Sequence, residues 1–361
     1  MGEPEFSQPL PEIAPGRALI LHIGHSKTGS TAIQDALARG LAQVPGRKLL
    51  FPGHRNHMPL AKSLGAGPAA ASRDERFTRL RERLDREDWD VAVISSEQFE
   101  FTPPEAVREA VAQYLGPYLP ILKVIVYVRP HVSRLVANHA ERLKLGFTFD
   151  GLEADLEVQC RRRLLFYAER LSRWRLVFGE RLLVRPFLPG ALFRGDVVAD
   201  FFRLAFGSDA VELALTESVN QSLSMQDLSV FREMHMRIHA RNPDILPQQQ
   251  AWAWDAAGFL GALPPVAEPV RPAIDRELLK KTQSLFAEDA AAFDRLFWGR
   301  PLFAEALETA EAVAAPLPVE AEAWHGPETR RLIHGWADMM AHLLEAGPMP
   351  VLRAIQPDWA R

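Results

Sequence analysis

A single cysteine, Cys160, stands among 361 residues. The chain therefore has no intrachain disulfide framework and no multi-cysteine metal site, which suits a reducing compartment. A surplus of positive charge is missing too. The 42 Lys and Arg against 46 Asp and Glu leave a net charge of -4, so no global field would hold nucleic acid or an acidic membrane surface, and any anion site must be local. No run of about 18 apolar residues is present to span a bilayer. No basic start followed by an apolar segment marks a secretory leader, and the expectation is a cytoplasmic protein. Nor do two histidines stand at a zinc-binding spacing with a carboxylate partner, so no metal is expected. Internal repeats are lacking, and the Ala-rich patch Ala69 to Ala71 is the one biased tract. What is present, 47% apolar and 24% charged residues, suffices to bury one large core or two modest ones.

Residues 1–17 carry Pro4, Pro9, Pro11 and Pro15 with little periodicity and read as an irregular arm. Ala18 to Ile23 is a short apolar run ended by Gly24, the pattern of a parallel strand covered on both faces. Ile33, Leu37 and Leu41 then recur at helical spacing. Two more runs have the strand pattern, Val91 to Ile94 before Ser95-Ser96-Glu97 and Ile121 to Val128 before Arg129; Leu182 to Val184 reads as a fourth. Val132, Leu135, Val136 and Leu143 mark a helix after Arg129, and Phe77, Leu80 and Leu84 an amphipathic one within the charged segment 73–88.

Strands alternating with helices predict an α/β fold: a three-layer α/β/α P-loop-like sandwich with a mainly parallel sheet. Recurring prolines from Asn242 to Pro272 predict an irregular lobe or long loop there. Helices are expected to resume over 274–297 and 328–344, giving a helical C-terminal extension. The expected division is an arm over 1–17, a nucleotide-binding and catalytic domain over 18–300, and the extension over 301–361.

Ligands of such sheets sit outside the carboxyl ends of the strands, where the segments at Gly24, Ser95 and Arg129 all fall. The loop Gly24-His-Ser-Lys-Thr-Gly-Ser-Thr31 lies between a buried strand and a helix. Its glycines permit a tight turn, its N–H groups can cradle a phosphate, and the helix N-terminus adds a favourable dipole. A Walker loop needs lysine directly after its second glycine. Ser30 holds that position here and the lysine is inside the loop, at Lys27; neither later strand ends in the aspartate of a metal-NTP site.

The segment Lys27-Thr-Gly-Ser-Thr31 after His22-Ile-Gly24 resembles the 5′-phosphosulfate loop of the sulfotransferase superfamily. The resemblance implies that Lys27 contacts the 5′-phosphate and bridging oxygens of 3′-phosphoadenosine-5′-phosphosulfate (PAPS), with Thr28, Gly29, Ser30 and Thr31 as further donors. It also implies that an arginine ending the later strand pairs with the 3′-phosphate, the place of Arg129, helped by a serine eight residues on. Ala137 stands at that position, and Ser133, one turn earlier, is the substitute. The planar fork of arginine suits phosphate oxygens. Weaker matches are Tyr167 to Phe187 and Asn220 to Ser224; the resemblance runs from about residue 18 to 230 and loosely to 300.

Sulfuryl transfer to a hydroxyl or amine needs positioning and a base. Glu97, at the end of the second strand, is the first candidate; His57, in Phe51 to Pro59, is the second, with His54 behind it. His22 reads as a core histidine, while His25 flanks the loop. Other readings are a nucleotide-binding scaffold of the same fold without transfer and, less favoured, a P-loop kinase. The acceptor is open, a glycan or a small molecule. Arg161-Arg-Arg163 suits an acidic glycan or a solvated helix face, and Trp252, Trp254 and Phe259 suit a carbohydrate or aromatic acceptor or core packing.

Overall fold

The computed structural model describes residues 16–53, 55–214, 223–264 and 268–345, the side chains of 245–248 excepted. The N-terminal arm up to residue 15, His54 and Asn220 to Ser222 lie outside the described residues. Among these residues the strands are β1 Ala18–His22, β2 Ala42–Gln43, β3 Leu49–Leu50, β4 Val91–Ser95, β5 Leu122–Val128, β6 Leu182–Pro186 and β7 Glu212–Leu213. The chain forms two compact units with segments that interleave along it, and all seven strands fall in the first.

The first unit is drawn from Met1–Pro130, Phe166–Thr216 and Ala287–Leu307. Its sheet has the order β3-β4-β1-β5-β6, every pairing parallel. Such strands need no alternation because both faces are covered. On one face Ile20, Val93, Ile125 and Tyr127 pack with Ile33 and Leu37 of the helix Ser30–Arg39 and with Phe201 and Phe202 of the helix Val197–Phe206. The alternate residues Leu19, Leu21, Ile94, Val124 and Val126 point the other way and are equally buried. Helices Arg73–Arg86, Pro104–Tyr114 and Tyr167–Phe178 pack on one another as the second helical layer. The expected three-layer parallel fold is what the chain adopts. In Arg73–Arg86, Phe77, Leu80 and Leu84 are buried while Arg81–Asp85 and Arg83–Glu87 pair at the surface, as the spacing predicted.

From β1 the chain runs to β3 and β4 on one side, then returns to β5 and β6 on the other. Strand order thus switches beside β1, the place where α/β sheets open a crevice at their carboxyl ends. The short strands were not legible: β3 is a two-residue edge, and β2 with β7 forms a small antiparallel pair.

The second unit is drawn from His131–Leu165, Glu217–Phe286 and Glu308–Arg361. It is helical, with Phe231, Met234 and Ile238 of the helix Met225–Arg241 packed on Trp252 and on Ile333 and Ala337 of the helix Pro327–Glu345. The expected helices after residue 274 are present as Arg276–Phe297 and Pro327–Glu345. The irregular lobe over 242–272 is a correction: a helix, Leu246–Gly261, lies inside it. Pro243 precedes this helix and Pro247 falls in its first turn, where proline removes no needed N–H.

Against the sheet of the first unit lies a buried charged pair, Arg185 of β6 and Asp200 of the helix Val197–Phe206. Asp200 accepts from the Tyr127 hydroxyl at 2.7 Å, from Arg185 at 2.6 and 3.1 Å, and from the Phe193 N–H at 2.9 Å. Burial, then the Asp200 charge, pushes the Tyr127 hydroxyl well above its ordinary value. Removing one partner of such a pair leaves the other charged and dry, so Asp200→Ala is expected to cost about 3–5 kcal/mol in denaturant unfolding. A loss within 1 kcal/mol would show that Arg185 finds another partner.

Candidate functional site

The loop after β1 is shaped by backbone that few residues adopt. Lys27 has φ 65° and Gly29 φ 77°, both left-handed. A Cβ on Gly29 would stand 2.6 Å from Val197 Cγ1, so glycine is required there by both conformation and space. Gly29 is the N-cap of the helix Ser30–Arg39; no side chain caps it and no acidic residue stands in its first turn. The first N–H groups of a helix lack partners within it, so this end, beside a turn of left-handed backbone, can take an anion.

Two hydroxyls of the loop are spent on holding it. Thr28 donates to the His25 carbonyl at 2.6 Å, and Ser30 lies 3.2 Å from the same oxygen and donates to Glu97 Oε1 at 2.6 Å. Thr31 is exposed. Arg129, at the end of β5, donates from Nη1 to the Lys27 carbonyl at 3.1 Å and lies over the Phe187 ring at 5.6 Å. Burial lowers the Arg129 pKa from its ordinary value, and Tyr167 works against that shift. Lys27, Thr28, Gly29, Ser30, Glu97 and Arg129 are thus brought together at the carboxyl ends of β1, β4 and β5.

Glu97 starts a short 3₁₀ turn, Glu97–Phe101, capped by the Ser96 hydroxyl. It is partly exposed, and its bond to Ser30 puts a carboxylate directly on the loop after β1. His57 is placed differently. Its backbone N–H donates to the Ser95 carbonyl at 2.8 Å, and its Nδ1 lies 3.1 Å from the Ser95 N–H and 3.4 Å from the Ser95 carbonyl. The shorter approach makes Nδ1 the acceptor and puts the ring proton on Nε2. Nε2 is buried with no partner among the described residues, and the ring stands edge-on to Phe51. Burial lowers the His57 pKa to about 4. His22 is fully buried, with Nδ1 2.8 Å from the Ser95 hydroxyl, and burial takes its pKa to about 3.

Sequence reasoning missed three residues. Glu100, buried in the same 3₁₀ turn as Glu97, accepts from the Ser26 N–H at 3.2 Å and pairs with Arg170 at 2.9 Å. The Tyr167 hydroxyl donates to the Arg129 carbonyl at 3.0 Å. Tyr167 and Arg170 stand in the Tyr167 to Phe187 segment already singled out; Glu100 gave no signal, because a carboxylate in a polar turn reads as solvated.

Ser133 belongs to the second unit, partly buried in the first turn of the helix His131–Lys144. Ser224, the described end of the Asn220 to Ser224 motif, caps the helix Met225–Arg241 in a capping box with Asp227. Arg161, Arg162 and Arg163 are exposed, Trp252 is buried in the second unit's core, and Trp254 and Phe259 are exposed. Among the described residues no cluster of three or more metal-ligating side chains is found, and no helix is long and apolar enough to cross a membrane.

No family model and no curated protein matches this chain. Among solved structures, the crystal structure of a sulfotransferase from Alicyclobacillus acidocaldarius is similar over 81% of this chain and 99% of its own, at 17% identity and a TM-score of 0.41. A likeness at that level decides neither fold nor activity; the fold rests on the sheet described above.

The buried histidines give a pH dependence of stability. His22 and His57 fall from the ordinary 6.5 to about 3 and about 4 in the folded protein. Between those values and 6.5 the unfolded chain binds more protons, so their contribution is complete above 6.5 and is lost as pH falls toward the folded values. The thermal midpoint is expected to drop steadily between pH 7 and pH 4.5; a flat midpoint there would contradict the burial of these rings.

Proposed function

We propose that this protein is a sulfotransferase that moves the sulfuryl group of PAPS to an acceptor hydroxyl or amine. The observation that carries the proposal is the Arg129 guanidinium held 3.1 Å from the Lys27 carbonyl, which sets a phosphate-matching arginine beside an uncapped helix N-terminus and a lysine-bearing loop. The residues fit such a donor. The loop offers backbone N–H groups and one cation to a 5′-phosphate, and Arg129 offers a planar fork to a second phosphate. This set comes wholly from the first unit.

When bound, the donor supplies an activated sulfuryl group. The protein then has to align the acceptor, stabilise charge on the leaving phosphate and take a proton. Lys27 and the first N–H groups of the helix Ser30–Arg39 serve the leaving phosphate. Glu97 takes the acceptor proton. It is preferred to His57 because the lone pair on His57 Nδ1 is engaged by the Ser95 N–H and burial has lowered the basicity of that ring.

The Ser30–Glu97 bond favours a second reading, a magnesium nucleotide, since a loop hydroxyl beside a strand-end carboxylate is a metal-NTP feature. The position of lysine weighs against it: Lys27 lies inside the loop and Ser30 follows the second glycine.

Thermal unfolding with adenosine 3′,5′-bisphosphate, 5′-AMP and magnesium-ATP separates these readings. The bisphosphate at a hundred times its Kd is expected to stabilise by about 2.7 kcal/mol. A shift confined to magnesium-ATP would replace the sulfotransferase reading with the kinase, and binding without transfer to any acceptor would leave a nucleotide-binding protein. Lys27→Ala and Arg129→Ala are expected to abolish transfer, whereas Glu97→Gln keeps donor binding and lowers turnover by about 10²–10⁴. Undiminished turnover by Lys27→Ala would end the proposal.

A further inference from the structure

The contacts of Glu100, Arg170 and Tyr167 join into a closed ring that passes through both ends of the proposed donor site. The Ser26 N–H donates to Glu100 Oε2 at 3.2 Å, and Glu100 Oε1 meets Arg170 Nη1 at 2.9 Å. Arg170 stands one turn from Tyr167 on the helix Tyr167–Phe178. The Tyr167 hydroxyl donates to the Arg129 carbonyl at 3.0 Å, and Arg129 Nη1 donates to the carbonyl of Lys27, next to Ser26, at 3.1 Å. The far side of the ring is fixed in turn. Asp289 accepts from the Tyr167 and Ala168 N–H groups at 2.9 and 3.1 Å, and the Tyr167 ring is buried against Phe293 and Phe303.

A buried carboxylate beside an anion site works against anion binding, and the Glu100 side chain is 1% exposed. Arg170 offsets that charge, and Glu100 takes up the Ser26 N–H of the loop. The pair therefore adds nothing to the attraction of the site; what it fixes is the separation between the loop and Arg129. Two phosphate contacts held at a set distance reinforce each other only when the ligand spans that distance, because the second contact is then intramolecular. We infer that the Glu100–Arg170 pair and the Tyr167 hydroxyl act as positioning residues that make the site selective for a nucleotide bearing two separated phosphate groups over one bearing a single phosphate. This inference rests on the donor reading above.

The test is calorimetric titration of adenosine 3′,5′-bisphosphate and 5′-AMP into the wild-type chain, Tyr167→Phe and Glu100→Gln, with circular dichroism as the check on folding. Tyr167→Phe keeps the ring in its pocket and deletes only the hydroxyl. Bisphosphate affinity is expected to fall about tenfold, the effect of one misaligned hydrogen-bonded contact, while 5′-AMP affinity changes less than about twofold. Glu100→Gln is expected to lower the preference in the same direction and carries the test if Tyr167→Phe does not fold. An unchanged ratio of the two affinities in both variants overturns the inference. So does an equal change for both ligands, whether a loss, which would make the ring mere support for the loop, or a gain, which would make Glu100 only a repelling charge. A wild-type chain with no preference for the bisphosphate removes the donor reading and this inference together.

Discussion

Everything at the site depends on the chain turning from β1 into a helix through two left-handed residues, Lys27 and Gly29. This turn leaves the helix start without a side-chain cap and carries the Lys27 carbonyl to within 3.1 Å of Arg129. A lysine in left-handed backbone is strained by about 1–3 kcal/mol. The surroundings must hold it there, and they do so through the loop's own Thr28 and Ser30 hydroxyls on the His25 carbonyl and through side chains of two other segments: Glu97 on Ser30 and Glu100 on Ser26, and Arg129 on Lys27. The loop is thereby organised without any ligand, which is what the proposed transfer, with little covalent work for the protein, demands.

Ser95 joins the sheet to this site. Its backbone pairs with His57, while its hydroxyl serves His22 and accepts from Gln34 on the helix that leaves the loop. Neutral histidines suit this position. Each ring gives one nitrogen to Ser95 and fills apolar space with the rest of its surface, and charging either would put a bare cation into the sheet. The strand end that supplies Glu97 is therefore as fixed as the strand itself. The Asp200 network does the same for the sheet beside it, anchoring β5 and β6 through Tyr127 and Arg185.

Local pattern was enough wherever burial was symmetrical. Ala18 to Ile23, Val91 to Ile94 and Ile121 to Val128 read as parallel strands because both faces of such strands are apolar, and the polar residues that end them fall at the ligand edge. Pattern failed where length or context took over. Two-residue strands such as β3 carry no period, and Pro247 within a helix's first turn looks, from sequence, like any loop proline. The division into interleaved units was equally out of reach, because it depends on which distant segments pack together.

The sequence by itself determined the parallel α/β layout, the glycine-bounded loop with its lysine, and Arg129 and Glu97 as strand-end residues, since each follows from apolar periodicity or from spacing along a few residues. Tertiary structure alone decided which side chains face the loop: that Glu97 reaches Ser30, that His57 is turned to Ser95, and that Glu100, Arg170 and Tyr167 close a ring on Arg129. The reason is physical. A strand or turn is specified by neighbours within a few residues, whereas the partner of a buried polar group comes from whichever distant segment the packed core brings within about 3 Å of it.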